Sequence, residues 1–559
     1  MRARDDNRPG ILVPHLGYGA RAAKAVIAVV PDGRLVAELV GPASTTPLTP
    51  GPVVRVPGWT GGPYSRIPLP DVLEPGTYSV RVVTGGQELV SEPFVIAPER
   101  LQRQTMSDVL AYFKAMRSSG EIDRKDRAAR LWADDSGTTV DARGGWLDAS
   151  GDTSKFLSHL TYTSTMSPQQ IPLCAWAMAA ARDQLGPALT KVLGARLRDE
   201  ALWGADFLLR FRSPEGYFYT GIFDALTKRL EERVITAPLQ DCVRTSRYQA
   251  AYRHGGGLAI AALARASTLD DDGDHSRAEY LTAAREGFEH LEKHNLEYLF
   301  DGTESIVDDY TALLAATELV AAGETEGPLE AARRRAAALT QRYVSDTPGW
   351  FRADELGRPF FHAAEPGLPM LALLRFAEIL PGAPEAEPAR RTAVQAMHDI
   401  LERTASVPNP FGCPRTLVQP SDGVPREAFF FPHANETGYW WQGENAAIAS
   451  LAAAAAACAR VGGNSRDLRA FADDQLAWIT GRNPFDTSML HGRGRHNADY
   501  SSDFPNLPGG IVNGITSGWT DENDIAFLPD DAPEGDSWRW AEQWIPHTGW
   551  FLLAVASAR

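Results

Sequence analysis

The run Ala446-Ala447-Ile448-Ala449-Ser450-Leu451-Ala452-Ala453-Ala454-Ala455-Ala456-Ala457-Cys458-Ala459 decides the fold class of this chain. Alanine favours the helix, and neither Gly nor Pro interrupts the run. A surface helix keeps one polar side, whereas a helix that is apolar nearly all round needs protein on every side. The segment 436–461 therefore reads as an inner helix of a layered α structure. Working outward, Ala- and Leu-rich stretches with helical character cover 104–117, 170–185, 190–212, 245–268, 275–294, 305–322, 326–344, 366–381, 389–404, 465–480 and 545–558. An even set of antiparallel helices can close into a double-layered α/α toroid. The uneven loops between them, several rich in Pro, Gly and aromatic residues, are the natural place for function.

The first hundred residues differ. Short β-rich runs at Lys24–Val30, Leu35–Val40, Tyr78–Thr84 and Glu88–Ile96 are separated by the turn signals Pro31-Asp32-Gly33, Pro75-Gly76 and Gly85-Gly86. Tyr78-Ser79-Val80-Arg81-Val82 alternates with period two, as a strand with one face on a core does. The spacing predicts a β-sandwich of immunoglobulin type over 1–98, ended by Ala97-Pro98, with a helical domain over 99–559.

A chain of 559 residues exceeds one ordinary core, and 44% apolar with 23% charged residues is a globular composition. No apolar run reaches membrane-spanning length, and the net charge of −16 disfavours nucleic acid. The start, Met1-Arg2-Ala3-Arg4-Asp5-Asp6-Asn7, lacks the apolar stretch of a secretory signal, so a cytoplasmic protein is expected. Cys174, Cys242, Cys413 and Cys458 form no CxxC and read as buried small hydrophobes, not as a zinc, redox or disulfide framework. Thr268-Leu269-Asp270-Asp271-Asp272-Gly273-Asp274 with Glu279 nearly fits a calcium loop, but Thr268 takes the first ligand position, so it reads as an acidic helix connection. Calcium in loops is allowed by the sequence and not required; no cofactor is expected.

Chemistry concentrates in three places. Gly144-Gly145-Trp146-Leu147-Asp148-Ala149-Ser150-Gly151-Asp152 sets two carboxylates four residues apart in a turn of small residues, where both can converge on one water. Eight of the 14 tryptophans follow residue 436, most of them among Asp, Glu, His and Arg, and flat rings beside hydrogen-bonding groups suit pyranose sugars. Trp478 and Trp550 read as core, whereas Trp440 and Trp441, inside Phe431 to Asn445, read as a ligand site. Glu542, within Trp538-Arg539-Trp540-Ala541-Glu542-Gln543-Trp544, has the aromatic setting that raises a carboxyl pKa, as a proton donor needs.

On these motifs the chain resembles glycoside hydrolase family 9, whose members join an N-terminal immunoglobulin-like domain to an (α/α)6 barrel. His15-Leu16-Gly17-Tyr18 is similar to the opening motif of that N-terminal domain, and Asp148-Ala149-Ser150-Gly151-Asp152 to the family's aspartate motif with one residue inserted. The resemblance implies that Asp152 is the general base, Asp148 helps hold the water and Glu542 is the acid. The insertion, with Ser154 to Leu160, Arg358-Pro359-Phe360-Phe361-His362-Ala363 and the Asn435 to Asn445 run, resembles a subgroup of intracellular exo-β-glucosidases and exo-β-glucosaminidases. The family's His-His-Arg segment is replaced by His491 to Asn497, and Pro546-His547-Thr548 follows the acid where Asp-Tyr-Asn is usual.

The expectation is therefore a mostly α protein, an (α/α)6 barrel behind a small immunoglobulin-like β-sandwich, acting as an inverting exo-glycosidase on short β-linked oligosaccharides. A pocket closed at one end is expected, walled by Trp440, Trp441 and Trp544, with Glu436, Arg358, His362 and His496 as polar contacts. An exo-β-glucosaminidase or an endo-β-1,4-glucanase are the alternatives within hydrolysis. Outside it stand a silent sugar-binding protein and a sugar epimerase using His433, His362 and His496.

Overall fold

The computed structural model describes residues 9–31, 33–462 and 465–558; Met1–Asn7 and Asp32 of the Pro31–Gly33 turn lie outside them. The long helices are α1 (Arg100–Met116), α2 (Ile171–Gln184), α3 (Pro187–Arg210), α4 (Gly256–Ala266), α5 (Arg277–Tyr298), α6 (Ile306–Ala321), α7 (Pro328–Gln341), α8 (Leu368–Ile379), α9 (Ala386–Ala405), α10 (Asn445–Val461), α11 (Ser465–Ile479) and α12 (Ile545–Ser557). Helices α2, α4, α6, α8, α10 and α12 pack each on the next, and α12 returns to α2, closing an inner ring. Helices α1, α3, α5, α7, α9 and α11 lie outside that ring, each against an inner helix. This is an (α/α)6 barrel.

Patterning assigns the layers. Every residue of α4 and of α12 is buried, as is α10 from Asn445 to Ala459. The outer helix α5 instead buries one stripe, Tyr280, Ala283, Ala284, Gly287, Phe288 and Leu291, at helical spacing. Two helices begin later than the sequence suggests. Residues 244–255 carry a two-residue strand, Arg244–Thr245, and a 3-10 turn that ends in Gly255 (φ 96), so α4 starts only at Gly256. Residues 436–444 form a loop because the Asn435 amide donates to the carbonyls of Pro432 and Trp440, bending the chain over Gly438 before α10 starts.

In the N-terminal part, one sheet orders Gly10–Leu12, Ala25–Val29, Tyr64–Pro68 and Val53–Val54. The second orders Tyr18–Gly19, Phe94–Ala97, Gly76–Thr84, Leu35–Val40 and Thr45–Leu48, with Gln87–Val90 also on Gly76–Thr84. The run Glu88–Ile96 is thus two strands, broken where Pro93 can donate no ladder hydrogen bond. Val26, Ala28, Ile67, Val80, Val82 and Ile96 fill the space between the sheets. Leu12, Ile27, Val29 and Tyr64, on the opposite face of the first sheet, belong to the barrel's core, so Ala25–Val29 is buried on both faces. His15-Leu16-Gly17-Tyr18 sits at this junction: His15 N–H donates to the Thr480 carbonyl (2.8 Å) and its ring lies 3.1 Å from Asp486. Arg482 is clamped there too, between the Ala25 carbonyl (2.9 Å) and Asp474 (2.5 Å).

Three cysteines are buried, but Cys242 is exposed, because it lies at the tip of a hairpin where Asp241 and Cys242 both take left-handed backbone. The acidic 268–274 connection spends its carboxylates on arginines: Asp270 on Arg182, Asp272 on Arg277 and Asp274 on Arg210, while Glu279 caps α5 through Ser276. Among the described residues no helix is long and apolar enough to cross a membrane, and no group of three or more His, Cys, Asp and Glu is disposed to hold a metal ion.

Candidate active site

The loops preceding the inner helices carry the site. The turn at Asp148–Asp152 comes before α2, the Glu542 segment directly before α12, and the Trp440–Trp441 loop before α10. The first two are knitted together although 393 residues separate Ser150 from Gln543. Ser150 N–H donates to the Gln543 carbonyl (2.9 Å), Ile545 N–H to the Asp148 carbonyl (3.1 Å) and Gln543 N–H to Ser150 Oγ (2.8 Å). Ser150 Oγ in turn donates to Asn506, whose amide donates to the Ala541 carbonyl. The turn also needs Gly151, at φ 65: a Cβ there would stand 2.8 Å from Phe504 Cα and 3.0 Å from the Asp503 carbonyl.

This stitching sets three carboxyl groups in one electrostatic unit. Asp148 is buried, with one oxygen accepting from the Trp544 indole at 2.9 Å. Asp152 accepts from Ser154 N–H at 2.8 Å, yet burial and the charge of Asp148 raise its pKa to about 6. Burial, then the charges of Asp148 and Asp152, hold the Glu542 pKa well above the ordinary carboxyl value, against a stabilising contact with the Asn513 amide. Glu542 follows the short helix Trp538–Ala541, and its carbonyl is fixed by Asn513 N–H at 2.7 Å. Burial and mutual repulsion thus push the Asp152 and Glu542 pKa values upward by different amounts, and environments that separate two carboxyls in this way suit acid–base cleavage of an acetal.

Beneath the turn lies a buried ion cluster. Arg233 grips Asp126 with two hydrogen bonds (3.0 and 2.8 Å) and donates to the Thr153 carbonyl (2.5 Å). Lys155 Nζ lies 2.7 Å from Asp126 and donates to the carbonyls of Ala142 and Gly144. Asp126→Ala would leave two cations buried without their counter-charge. It is expected to destabilise the fold by about 3–5 kcal/mol, read as a lowered midpoint in urea unfolding.

The aromatic residues divide into two groups. Trp440 packs edge-on against Trp544 (5.2 Å between ring centres) and 5.6 Å from His159, beside Asp148. Trp441 is stacked on His433 at 3.8 Å, with Arg539 over its ring at 4.4 Å, and belongs to a neighbouring cluster with Trp519 and Trp540. Trp478 and Trp550 are core residues.

The polar contacts expected from the sequence are only partly brought together. Glu436 accepts from the backbone and hydroxyl groups of Ser164 and Thr165 (2.7–3.3 Å), so it fastens two site loops to each other. Arg358 is paired with Asp354 (2.5 Å). His362 is buried, its Nδ1 accepting from Ala364 and Glu365 N–H, and burial lowers its pKa to about 3; it lines an apolar cavity of about 70 Å³ with Phe360, Phe431 and Glu444. His496 is turned to the Asp486 carbonyl (2.7 Å) at the sandwich–barrel junction. Sequence reasoning overlooked Tyr500, which feels the charges of both Glu542 and Asp152, and Asp224, which accepts from Thr153 beside Asp152. Neither sits in a motif; only the tertiary fold brings them in.

An (α/α)6 barrel with three carboxyl groups gathered among aromatic rings, on the loops before its inner helices, suits a glycoside hydrolase. The family model "Glycosyl hydrolase family 9" matches residues 103–502, and the chain belongs to that family. The chain is similar in structure to a Bacteroides ovatus GH9 protein (16% identity, TM-score 0.64, covering 99% of this chain and 98% of that one). It is also similar to a mutant thermostable endoglucanase from Alicyclobacillus acidocaldarius (15%, 0.66, 98% and 99%). A termite endoglucanase from Nasutitermes takasagoensis matches as well (16%, 0.52, 81% and 98%). No curated protein sequence matches the chain significantly.

Proposed function

We propose that this glycoside hydrolase inverts the anomeric centre and acts on the non-reducing end of short β-linked oligosaccharides, in the manner of a β-glucosidase. The observation that carries this reading is the direct pairing of the Asp148–Asp152 turn with the Glu542 segment, which groups three carboxyls and raises the pKa of Asp152 to about 6 and that of Glu542 well above the ordinary carboxyl value. Asp152 takes a proton from a water that Asp148 helps to hold, and that water attacks the anomeric carbon from one face. Glu542 gives its proton to the departing glycosidic oxygen on the other. Inversion requires room for the water, a separation of roughly 6.5–9.5 Å between base and acid carboxyls.

Chain-end action is supported by a tie across the site. Gln240, at the tip of the hairpin joining Ala237–Pro238 to Arg244–Thr245, donates to the Thr437 carbonyl on the loop that carries Trp440. A bridge between two site loops would bar a long chain from running through the site, as chain-end action requires. The names of several structural neighbours favour a second reading, an endo-β-1,4-glucanase. We also assign the N-terminal sandwich, residues 1–98, to the immunoglobulin-like class, the barrel to 99–559, and the enzyme to the cytoplasm. There it would meet imported oligosaccharides, as either glucosides or glucosaminides.

The decisive measurement is the anomer released first, followed by NMR on a cello-oligosaccharide. An initial α-product together with monosaccharide as the first product is expected. An initial β-product overturns inversion, and early products of mixed length overturn chain-end action in favour of the endoglucanase.

A further inference from the structure

Two side chains face the carboxyl group of Asp148. One of its oxygens accepts from the Trp544 indole, and the other, Oδ2, faces His159 Nδ1 at 3.8 Å. That nitrogen is buried and makes no hydrogen bond, although the side chain as a whole is 29% exposed. The imidazole is packed by Phe156 (4.7 Å), Trp440 (5.6 Å) and Trp544 (6.4 Å). A buried nitrogen left without a partner costs free energy unless something repays it in the working state. Hydrogen bonds that serve catalysis are commonly long in the empty enzyme and tighten in the substrate complex.

We propose that His159 is a positioning residue: its Nδ1–H closes onto Asp148 Oδ2 when a sugar fills the site, fixing the carboxylate that steadies the attacking water. The surroundings offer no substitute. The titratable groups facing Asp148 are Asp152, Glu542, Cys174 from α2 and Tyr112 from α1, with Asp224 and Tyr500 beyond Asp152. Among the described residues no Lys or Arg shares an ion pair with Asp148, Asp152 or Glu542. His547 reaches only Trp544, at 5.6 Å between ring centres. Among the described residues, His159 and the Trp544 indole are therefore the side-chain donors that face the Asp148 carboxylate.

The inference rests on the proposed role of Asp148, and the test separates the two. His159→Phe keeps a flat ring between Trp440 and Trp544 but deletes the donor, whereas His159→Asn places an amide donor near the position of Nδ1. On a hydrolysed nitrophenyl β-glycoside, His159→Phe is expected to lower kcat about ten- to a hundredfold with KM changed less than about threefold. The acid limb of its pH profile should move up by about one pH unit, because the lost hydrogen bond favoured the ionised pair. His159→Asn should recover most of both. Native kcat and an unmoved acid limb in His159→Phe overturn the proposal, as does equal impairment in the Asn variant. Should the Phe variant not fold, ¹⁵N NMR of the native enzyme decides: a His159 ring protonated at Nδ1, with a resonance that moves in Asp148→Asn, is expected, and the other tautomer overturns it. Native turnover in Asp148→Asn would instead sink the reading of the site itself. An inactive Asp148→Asn beside an unaffected His159→Phe removes only His159.

Discussion

Asp152→Asn should reduce kcat by about 10²–10⁴-fold while leaving the fold intact, since a positioned general base contributes on that scale. The amide is close in size to the carboxylate and can still accept from Ser154 N–H, so the turn keeps its shape. The same variant should melt higher than the native enzyme at pH 7. The folded-state pKa of Asp152 is raised to about 6 from 3.8, so ionising it costs stability. That cost is absent below about pH 3.8 and complete above about pH 6. The variant escapes it, and its advantage in a thermal melt should fade as the pH falls. Loss of turnover with a gain in stability is the signature of a functional carboxylate held in an unfavourable place. A variant both active and unaltered in melting would place the base elsewhere.

Glu542→Gln is the second large effect. Removing the proton donor should lower hydrolysis of an unactivated disaccharide by about 10²–10⁴-fold. It should cost much less on a dinitrophenyl glycoside, whose leaving group needs no proton. The alkaline limb of the native pH profile, set by a Glu542 pKa held well above the ordinary carboxyl value, should disappear in the variant. The acid limb, set by Asp152 near pH 6, should remain. Native rates on the disaccharide would assign the acid to another residue.

The ring of inner helices was legible because burial on all sides demands apolar residues on all sides, and no outer helix can imitate the Ala446–Ala459 run. The starts of α4 and α10 were not. Glycines and asparagine side-chain hydrogen bonds before Gly256 and Asn445 override an alanine-rich pattern that propensity alone would extend. In the site, the grouping of Asp148, Asp152 and Glu542, which the structure brings together, could be anticipated because a turn of small residues and an aromatic shell are local signals. Glu436, Arg358, His362 and His496 carry no local sign of whether they face a ligand or a protein partner. Ser164 and Thr165, Asp354, two backbone amides and the Asp486 carbonyl make that choice; only Ser164 and Thr165 lie far away in sequence, and the nearer partners are fixed by loop geometry that residue type alone does not reveal. Ser150 shows the reverse case. The residue range that departs from the family motif supplies the hydroxyl that clasps the acid-bearing segment.

The strand Ala25–Val29 turns one face to its own sandwich and the other to the barrel. This double commitment bears on modularity. Leu12, Ile27, Val29, Tyr64 and the His15 ring are written for one particular barrel surface, which presents Phe411 to Tyr64 and Thr480 and Asp486 to His15. A graft of this domain onto another enzyme would carry an apolar face with no matching socket, and a foreign sandwich placed here would leave that socket open. Exchange by recombination is therefore restricted to blocks that include the first hundred residues together with the barrel segments around Phe411 and from α11 to Asp486, which inheritance must keep together.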